Sequence, residues 1–160
     1  MKRLAADKER NLLIVRRLLG LPKGTPTLVY ACTVEHAYFL SVILTELGRK
    51  SGAVSADTPV TLRRTLIRDF KERKIEFLCN YGVLTTGFDA PKTECIALCR
   101  PTTSEVLYEQ IIGRGLRGPQ FGGTPVCTII DFADNILRLG PPLAYARCAD
   151  FWSDELTEEE

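Results

Sequence analysis

The sequence predicts an α/β fold in which helices cover both faces of a mainly parallel sheet. Short apolar runs rich in β-forming residues alternate along the chain with longer segments of helical apolar spacing. The runs are continuously apolar, as expected for parallel strands that are buried on both faces. Right-handed crossovers then place the helices against the sheet. At 160 residues the chain is long enough for one compact domain with a substantial core.

The elements follow one another in a regular order. Helices are expected where apolar residues recur every three or four positions, over residues 4–19, 34–47, 58–73 and 101–117. Strands are expected at TLVYAC, GAVSA, IEFLCNY, ECIALCR and VCTIIDF, over residues 27–32, 52–56, 75–81, 94–100 and 126–132. GAVSA is the weakest of these strand signals.

Residues at the helix ends support these boundaries. Gly48 follows the second helix as a C-terminal glycine. Thr58 is the expected N-cap of the third helix, with Pro59 in its first position. The fourth helix begins with a capping box that starts at Thr102, or with Ser104 as its cap.

Composition excludes several classes of protein. The net charge is +1 and 45% of residues are hydrophobic, as in soluble globular domains. No apolar run approaches the roughly 18 residues of a membrane span, and the charged N-terminus does not resemble a secretory signal. We therefore expect a cytoplasmic location, or a nuclear one in a eukaryote, and no membrane partner. The six cysteines form no CxxC and His36 is the single histidine, so we expect buried thiols, a structural His36 and no metal site.

Basic residues are concentrated between Arg49 and Lys74, a segment that contains eight Lys and Arg residues and three acidic residues. Such a patch can bind phosphate groups. A solvated helix face is the simpler interpretation of charge alone.

The segment YEQIIGRGLR places three polar side chains on one side of a helix. At about 100° per residue, Gln110, Arg114 and Arg117 project within about 60° of one another, and apolar residues occupy the opposite side. Paired guanidinium groups suit a multiply charged anion. Gly113 borders the row and allows a close approach to the backbone. A plain amphipathic helix with solvated arginines is the alternative.

A second cluster, NYGVLTTGFDAP, follows the strand IEFLCNY. Asp89 can accept hydrogen bonds from ribose hydroxyls, and the hydroxyls of Thr85 and Thr86 can bind phosphates. A structural turn is the alternative. The sequence contains no GxxxxGK[ST] loop, so a self-sufficient nucleotide site is not expected.

These two clusters, in this order on this fold, resemble motifs V and VI of superfamily two helicases and translocases. QIIGRGLR matches the motif VI form Q-x-x-G-R-x-x-R at every specified position, and TTGFDAP resembles motif V. TLVYACTVEHAYFL resembles motif IV, and TLRRTLIRDFK resembles the helix after the next strand. The chain is similar to the C-terminal RecA-like lobe of a DEAD/DEAH-related helicase, near the DNA repair helicases and type III restriction subunits. This implies a three-layer α/β/α, P-loop NTPase-like domain.

The resemblance implies roles for individual residues. Arg114 and Arg117 correspond to arginines that reach the γ-phosphate of ATP, with Gln110 at the same interface. Gly87 and Asp89 correspond to contacts with the nucleotide sugar.

Further roles concern nucleic acid. Thr85 corresponds to the motif V threonine that contacts a backbone phosphate, and Thr33, after the motif IV strand, is a similar candidate. Arg64 on the basic helix is a weaker one, and Gly113 is a candidate nucleotide contact. Two departures from the pattern are Thr86, in place of Glu, and an asparagine before the loop where Thr or Ser is common.

The implied function is that of the second motor lobe of an ATP-dependent helicase or translocase acting on DNA or RNA. ATP and Mg²⁺ would be held mainly by an N-terminal RecA-like lobe, the partner that this chain lacks, so the fragment alone is expected to be inactive. The expected organisation is a connecting helix (1–24), the RecA-like domain (25–139) and an acidic, disordered extension (140–160). The alternative is a non-catalytic nucleic-acid or protein docking module of helicase-like fold.

Overall fold

Parallel strands form a single sheet with helices on both faces, as the sequence predicts. The computed structural model describes residues 1–84, 92–101, 104–113, 120 and 122–132. Its strands are β1 (Thr27–Tyr30), β2 (Ser51–Val54), β3 (Phe77–Asn80), β4 (Cys95–Leu98) and β5 (Thr128–Asp131). Its helices are α1 (Lys2–Ala5), α2 (Lys8–Leu19), α3 (Val34–Glu46), α4 (Val60–Lys71) and α5 (Glu105–Ile112).

β1 lies at the centre of the sheet, whose strand order is β2-β3-β1-β4-β5. Tyr30, the last residue of β1, is in register with Asn80 on β3 and with Leu98 on β4. All the strand pairs are parallel. The segments that follow these three neighbouring strands therefore leave the sheet side by side.

Two apolar clusters, one on each face, hold the helices against the sheet. On one face α2 and α3 bury Ile14, Leu18 and Leu40 against strand residues such as Val29. On the other face α4 and α5 bury Phe70, Tyr108, Ile111 and Ile112 with Leu28 and Tyr30. Burial of one such side chain contributes roughly 1.5–3 kcal/mol. Helix α2 is therefore an integral part of this domain's core.

The first predicted helix is interrupted at Asp7. The Asp7 carboxylate accepts a hydrogen bond of 3.0 Å from the Arg10 backbone N–H and so caps α2. The Asn11 amide donates to the Ala5 carbonyl at 2.8 Å, which ties α1 to α2 across the break. The apolar spacing predicted the helix, but this local cap, which divides it, was not predicted.

The predicted N-cap of α4 is wrong. Pro59 occupies the N-cap position, and the Thr58 hydroxyl instead accepts from the Ser55 N–H at 2.8 Å. The guanidinium of Arg63 closes the same loop by donating to the carbonyls of Ser55, Ala56 and Thr58 at 2.9–3.1 Å. Thr58 therefore stabilises the loop before α4 rather than the helix terminus.

Two other predicted helix ends have a clear outcome. Ser104 caps α5 by accepting from the Leu107 N–H at 3.2 Å, so the alternative cap was correct; Thr102 lies outside the described residues. Gly48 follows α3 with φ 80°, as expected for a C-terminal glycine.

Arg49 was counted in the predicted basic patch, but it is a buried structural residue. Only 5% of Arg49 is exposed. Its Nε lies 2.5 Å from Oε2 of Glu76, and its guanidinium lies 5.0 Å from the centre of the Phe77 ring. Its Nη atoms donate to three carbonyls at and just after the end of α2, those of Leu19, Leu21 and Pro22. Arg49 thus joins the end of α2 to the start of β3.

The cysteines of the described ranges are free thiols, and four of them are buried. Burial raises the pKa of Cys79 to about 12 and that of Cys95 to about 11. Within the same ranges no group of His, Cys, Asp and Glu could hold a metal ion, and no helix is long and apolar enough to cross a bilayer.

Candidate nucleic-acid and nucleotide interface

The carboxyl ends of β3, β1 and β4 form the sheet edge at which ligands bind in open α/β folds. Thr33 follows β1, Tyr81 follows β3 and Arg100 follows β4. The Arg100 guanidinium lies 5.4 Å from the centre of the Tyr81 ring, so these two side chains meet across the end of β1. This cation–π contact connects the residue after β3 with the segment after β4.

Thr33 is the N-cap of α3 and is partly exposed at this edge. Its Oγ1 accepts a hydrogen bond of 3.1 Å from the backbone N–H of His36. The exposed Glu35 lies in the same turn, where the backbone N–H of Glu35 and then the Thr33 hydroxyl lower the pKa of its carboxyl. Thr33 is therefore placed where it could contact a phosphate, but beside an acidic side chain.

His36 is structural, as predicted, and both nitrogens of its ring have hydrogen-bond partners. Its Nδ1 accepts from the backbone N–H of Cys32 at 3.1 Å, and its Nε2 lies 3.0 Å from Oδ1 of Asn11. This pairing assigns the proton to Nε2, because Nδ1 must be an acceptor. Burial, with a smaller effect from the charge of Arg10, lowers the pKa of His36 to about 4. The ring is therefore neutral at physiological pH.

Helix α2 also contacts the edge through Arg10. Its Nη2 donates to the Cys99 carbonyl at 3.2 Å, and its guanidinium lies 5.8 Å from the centre of the Phe132 ring. The Cys32 thiol donates to the same carbonyl at 2.9 Å. The backbone after β1 is thus tied to the backbone after β4.

The backbone at Leu84, immediately before TTGFDAP, is bound by a residue of β1. The buried Tyr30 hydroxyl donates to the Leu84 carbonyl at 3.1 Å. The Asn80 amide donates to the Val29 carbonyl at the same distance. Three predicted site residues of this loop, Thr85, Gly87 and Asp89, lie outside the described residues.

Helix α5 has the two faces that the sequence predicts. Tyr108, Ile111 and Ile112 are buried, whereas Gln110 is exposed. Gly113 ends the helix with φ −57°, so it does not need the left-handed region. A Cβ on Gly113 would lie 3.1 Å from the Glu109 carbonyl oxygen, which is a tight contact. Arg114 and Arg117 lie outside the described residues.

The basic helix contributes fewer free cations than its sequence suggests. Arg63 binds loop carbonyls, and Arg68 forms an ion pair with Asp69 at 3.2 Å. Arg64 is exposed and, within the described ranges, makes no ion pair. Arg64 therefore remains available to a ligand.

No sequence pattern assigned Arg10, Asn11 or Tyr30 to this edge. The sequence T-V-E-H did contain a signal for one contact at this edge, the hydrogen bond between the His36 ring and the Cys32 N–H. A Thr N-cap followed three residues later by a side chain that can reach back has the spacing of a capping box. Here His36 takes the place of Glu or Gln and binds the N–H of Cys32, one residue earlier.

Comparisons with known proteins agree with this geometry. Residues 10–118 match the helicase conserved C-terminal domain family. A Saccharomyces cerevisiae protein described as an ATP-dependent helicase, IRC3, is 36% identical over 98% of this chain, which covers 23% of that protein. A Schizosaccharomyces pombe protein described as a mitochondrial ATP-dependent helicase is 40% identical over 71% of this chain and is matched over 18% of its length. The chain thus spans about a quarter or less of these two relatives.

Solved structures agree on the fold. A DEAD box protein of Methanococcus jannaschii superposes with a TM-score of 0.65 at 26% identity, over 80% of this chain and 34% of that one. The C-terminal domain of the DEAD-box protein Dbp5 gives a TM-score of 0.67 at 22% identity, over 91% of this chain and 79% of that one. The chain belongs to the helicase conserved C-terminal domain family and is a RecA-like C-terminal lobe of superfamily two.

Proposed function

We propose that this chain is the second motor lobe of an ATP-dependent helicase or translocase. In this role Arg114 and Arg117 reach ATP bound between two lobes, and Gln110 lies at the same interface. The observation that carries the proposal is on α5. Its apolar face is buried against the sheet, while Gln110 is exposed one turn before Arg114 in a full motif VI. This orientation directs Gln110 away from the core.

Nucleic acid is the second ligand in this proposal. Thr33 and Thr85 would contact backbone phosphates, and Arg64 would add a further cation. Support comes from the partial exposure of Thr33 at the sheet edge and from the exposure of Arg64. A structure of yeast Dbp5 bound to RNA and ADP BeF3 is 24% identical to this chain and superposes with a TM-score of 0.61, which is a likeness of fold.

The nucleotide site requires residues that the first lobe would supply. When bound, ATP with Mg²⁺ provides the phosphoryl group, and the described residues of this lobe offer no cluster of metal ligands. They do fit a contribution to the nucleotide site from this lobe, because Gln110 and Gly113 are both exposed. Gly87 and Asp89 would hold the sugar. Closure of the lobes would bring the positive charge of Arg114 and Arg117 to the transferring phosphoryl group.

The proposal is tested by Arg117→Ala in the full-length parent enzyme. Loss of one arginine finger is expected to reduce nucleic-acid-stimulated ATP turnover by about 10³-fold or more, while the melting temperature stays unchanged. Arg16→Ala is the matched control, because Arg16 is exposed on α2 and is not part of the proposed site. Wild-type turnover in Arg117→Ala would overturn the motor role and favour a docking module.

One further expectation belongs to this proposal. The chain alone would hydrolyse ATP only at background, since the first lobe carries the main ATP and Mg²⁺ site. The mitochondrial description of the fission yeast relative differs from the cytoplasmic or nuclear location expected from the sequence.

A further inference from the structure

We infer that His36 is a positioning residue, whose ring holds the backbone ahead of Thr33 in the orientation that nucleic-acid contact requires. The inference rests on the proposed function, because it assumes that Thr33 contacts the nucleic-acid backbone. It assigns to the chain's single histidine a role beyond filling the core.

The His36 ring contacts the backbone immediately before Thr33. His36 Nδ1 accepts from the Cys32 N–H at 3.1 Å, and both residues are buried. A buried backbone N–H that loses its acceptor carries the full cost of its desolvation. The backbone at Cys32 would therefore reorient if the ring nitrogen were removed, and Thr33 is the next residue.

The backbone of His36 contacts the side chain of Thr33. The His36 N–H donates to Thr33 Oγ1 at 3.1 Å, so one residue binds the chain on both sides of the Cys32–Thr33 peptide unit. Because this bond uses an acceptor site of the hydroxyl, the hydroxyl hydrogen points away from the helix N-terminus. It is then available to an acceptor oxygen such as Glu35 or an incoming phosphate.

Asn11 on α2 holds the His36 ring through its other nitrogen. His36 Nε2 lies 3.0 Å from Asn11 Oδ1, and the amide of Asn11 donates to the Ala5 carbonyl at 2.8 Å. The ring is fixed by α2 and cannot turn without breaking a buried bond. Asn11 therefore supports His36, and His36 supports the backbone at Thr33.

The two ring nitrogens can be tested separately in the full-length parent enzyme. In His36→Asn the side-chain oxygen can occupy the place of Nδ1 and still accept from Cys32. In His36→Gln the amide reaches toward Asn11 but leaves the Cys32 N–H without its acceptor. Each variant loses one of the two contacts, so a merely structural role predicts similar behaviour for both.

The readout is the concentration of single-stranded oligonucleotide that gives half-maximal ATP turnover. We expect His36→Gln to raise this concentration by roughly tenfold with the saturated turnover rate little changed, as for loss of about one hydrogen bond to a charged group. His36→Asn should stay within about twofold of wild type. Equal values for the two variants would overturn the inference.

Thr33→Val separates this inference from the proposed function. If Thr33→Val leaves the half-saturating concentration unchanged, the proposed Thr33 contact is wrong, and the inference fails with it. If Thr33→Val raises it but His36→Gln does not, the role of His36 alone is refuted. Should His36→Gln fail to fold, His36→Ala replaces it, because it also leaves the Cys32 N–H without the ring acceptor. A rise of about tenfold relative to His36→Asn is then expected, and equal values for His36→Ala and His36→Asn would refute the role of His36.

Discussion

Nε of Arg49 lies 2.5 Å from Oε2 of Glu76 in a pair whose side chains are only 5% and 13% exposed. Arg73 and Glu94 form a second pair at the same distance, but their side chains are 47% and 35% exposed. The two pairs share their chemistry and their separation and differ in burial. They therefore allow the contribution of burial to be measured within one protein.

Glu76→Gln is expected to destabilise the protein by about 3 kcal/mol, because it leaves a buried guanidinium without its counter-charge. Glu94→Gln, the matched control, should cost less than about 1 kcal/mol, since solvent screens the exposed pair. Urea denaturation with unchanged m-values is the measurement. Equal losses in the two variants would show that Arg49 gains little from Glu76 beyond its carbonyl contacts.

The stability of the protein should fall on acidification because of His36. Its pKa in the folded state is lowered to about 4 from 6.5, so the folded state binds fewer protons than the unfolded state between these values. The stability that the neutral ring provides is complete above pH 6.5 and is lost as the pH falls toward 4. A protonated Nδ1 can no longer accept from Cys32.

Comparison with His36→Asn isolates this effect from the carboxyl groups, which both proteins share. The difference in unfolding free energy between wild type and variant should be constant above pH 6.5 and then change by up to about 1.4 kcal/mol per pH unit, in favour of the variant. Urea titrations at pH 7.0, 5.5 and 4.5, set by those two pKa values, provide the measurement. A difference that does not vary with pH would contradict the neutral, buried ring.

Glu35→Gln is expected to tighten nucleic-acid binding. The Glu35 carboxylate is exposed in the first turn of α3 beside Thr33, and its charge opposes an approaching phosphate. Removal of the charge should lower the half-saturating oligonucleotide concentration several-fold at low salt, with a smaller effect at high salt.

Glu46→Gln is the control for Glu35→Gln. It makes the same change of charge at the other end of α3, where Glu46 is also exposed. A gain in both variants would assign the effect to net charge, and no gain in Glu35→Gln would argue against phosphate binding near Thr33.

Much of the fold could be predicted from apolar spacing alone. The five strand signals all occur, and each predicted helix is present at least in part, because continuous apolar runs and helical stripes follow directly from burial. The first helix is divided at Asp7, and α5 ends at Ile112, before the predicted end at residue 117. Each strand ends one or two residues earlier than predicted, since the side-chain pattern does not show where the hydrogen bonds between strands stop. Even the weak signal GAVSA formed β2, where Gly52 lies so close to Leu66 that a Cβ would be 2.8 Å from its Cδ2.

The candidate site was predictable in part. The orientation of Gln110 followed from helical periodicity, and its exposure confirms it. The contacts of Arg49 and Arg63 did not, because a basic residue that binds backbone carbonyls has no distinct sequence pattern. The bond from Tyr30 to the Leu84 carbonyl joins residues 54 positions apart. Such a contact depends on strand order, which composition and spacing do not specify.

The strand order β2-β3-β1-β4-β5 also has a consequence for synthesis on the ribosome. The first strand of this sheet to emerge, β1, becomes its middle strand, and the second, β2, lies two places away from it. Neither strand has a paired neighbour until β3, beginning at Phe77, inserts between them. The other edge of β1 stays unpaired until β4, beginning at Cys95, is made. These non-local pairings are slow to form. Until β3 has emerged, this domain therefore carries two strands without partners, and chaperone protection would matter most over that interval.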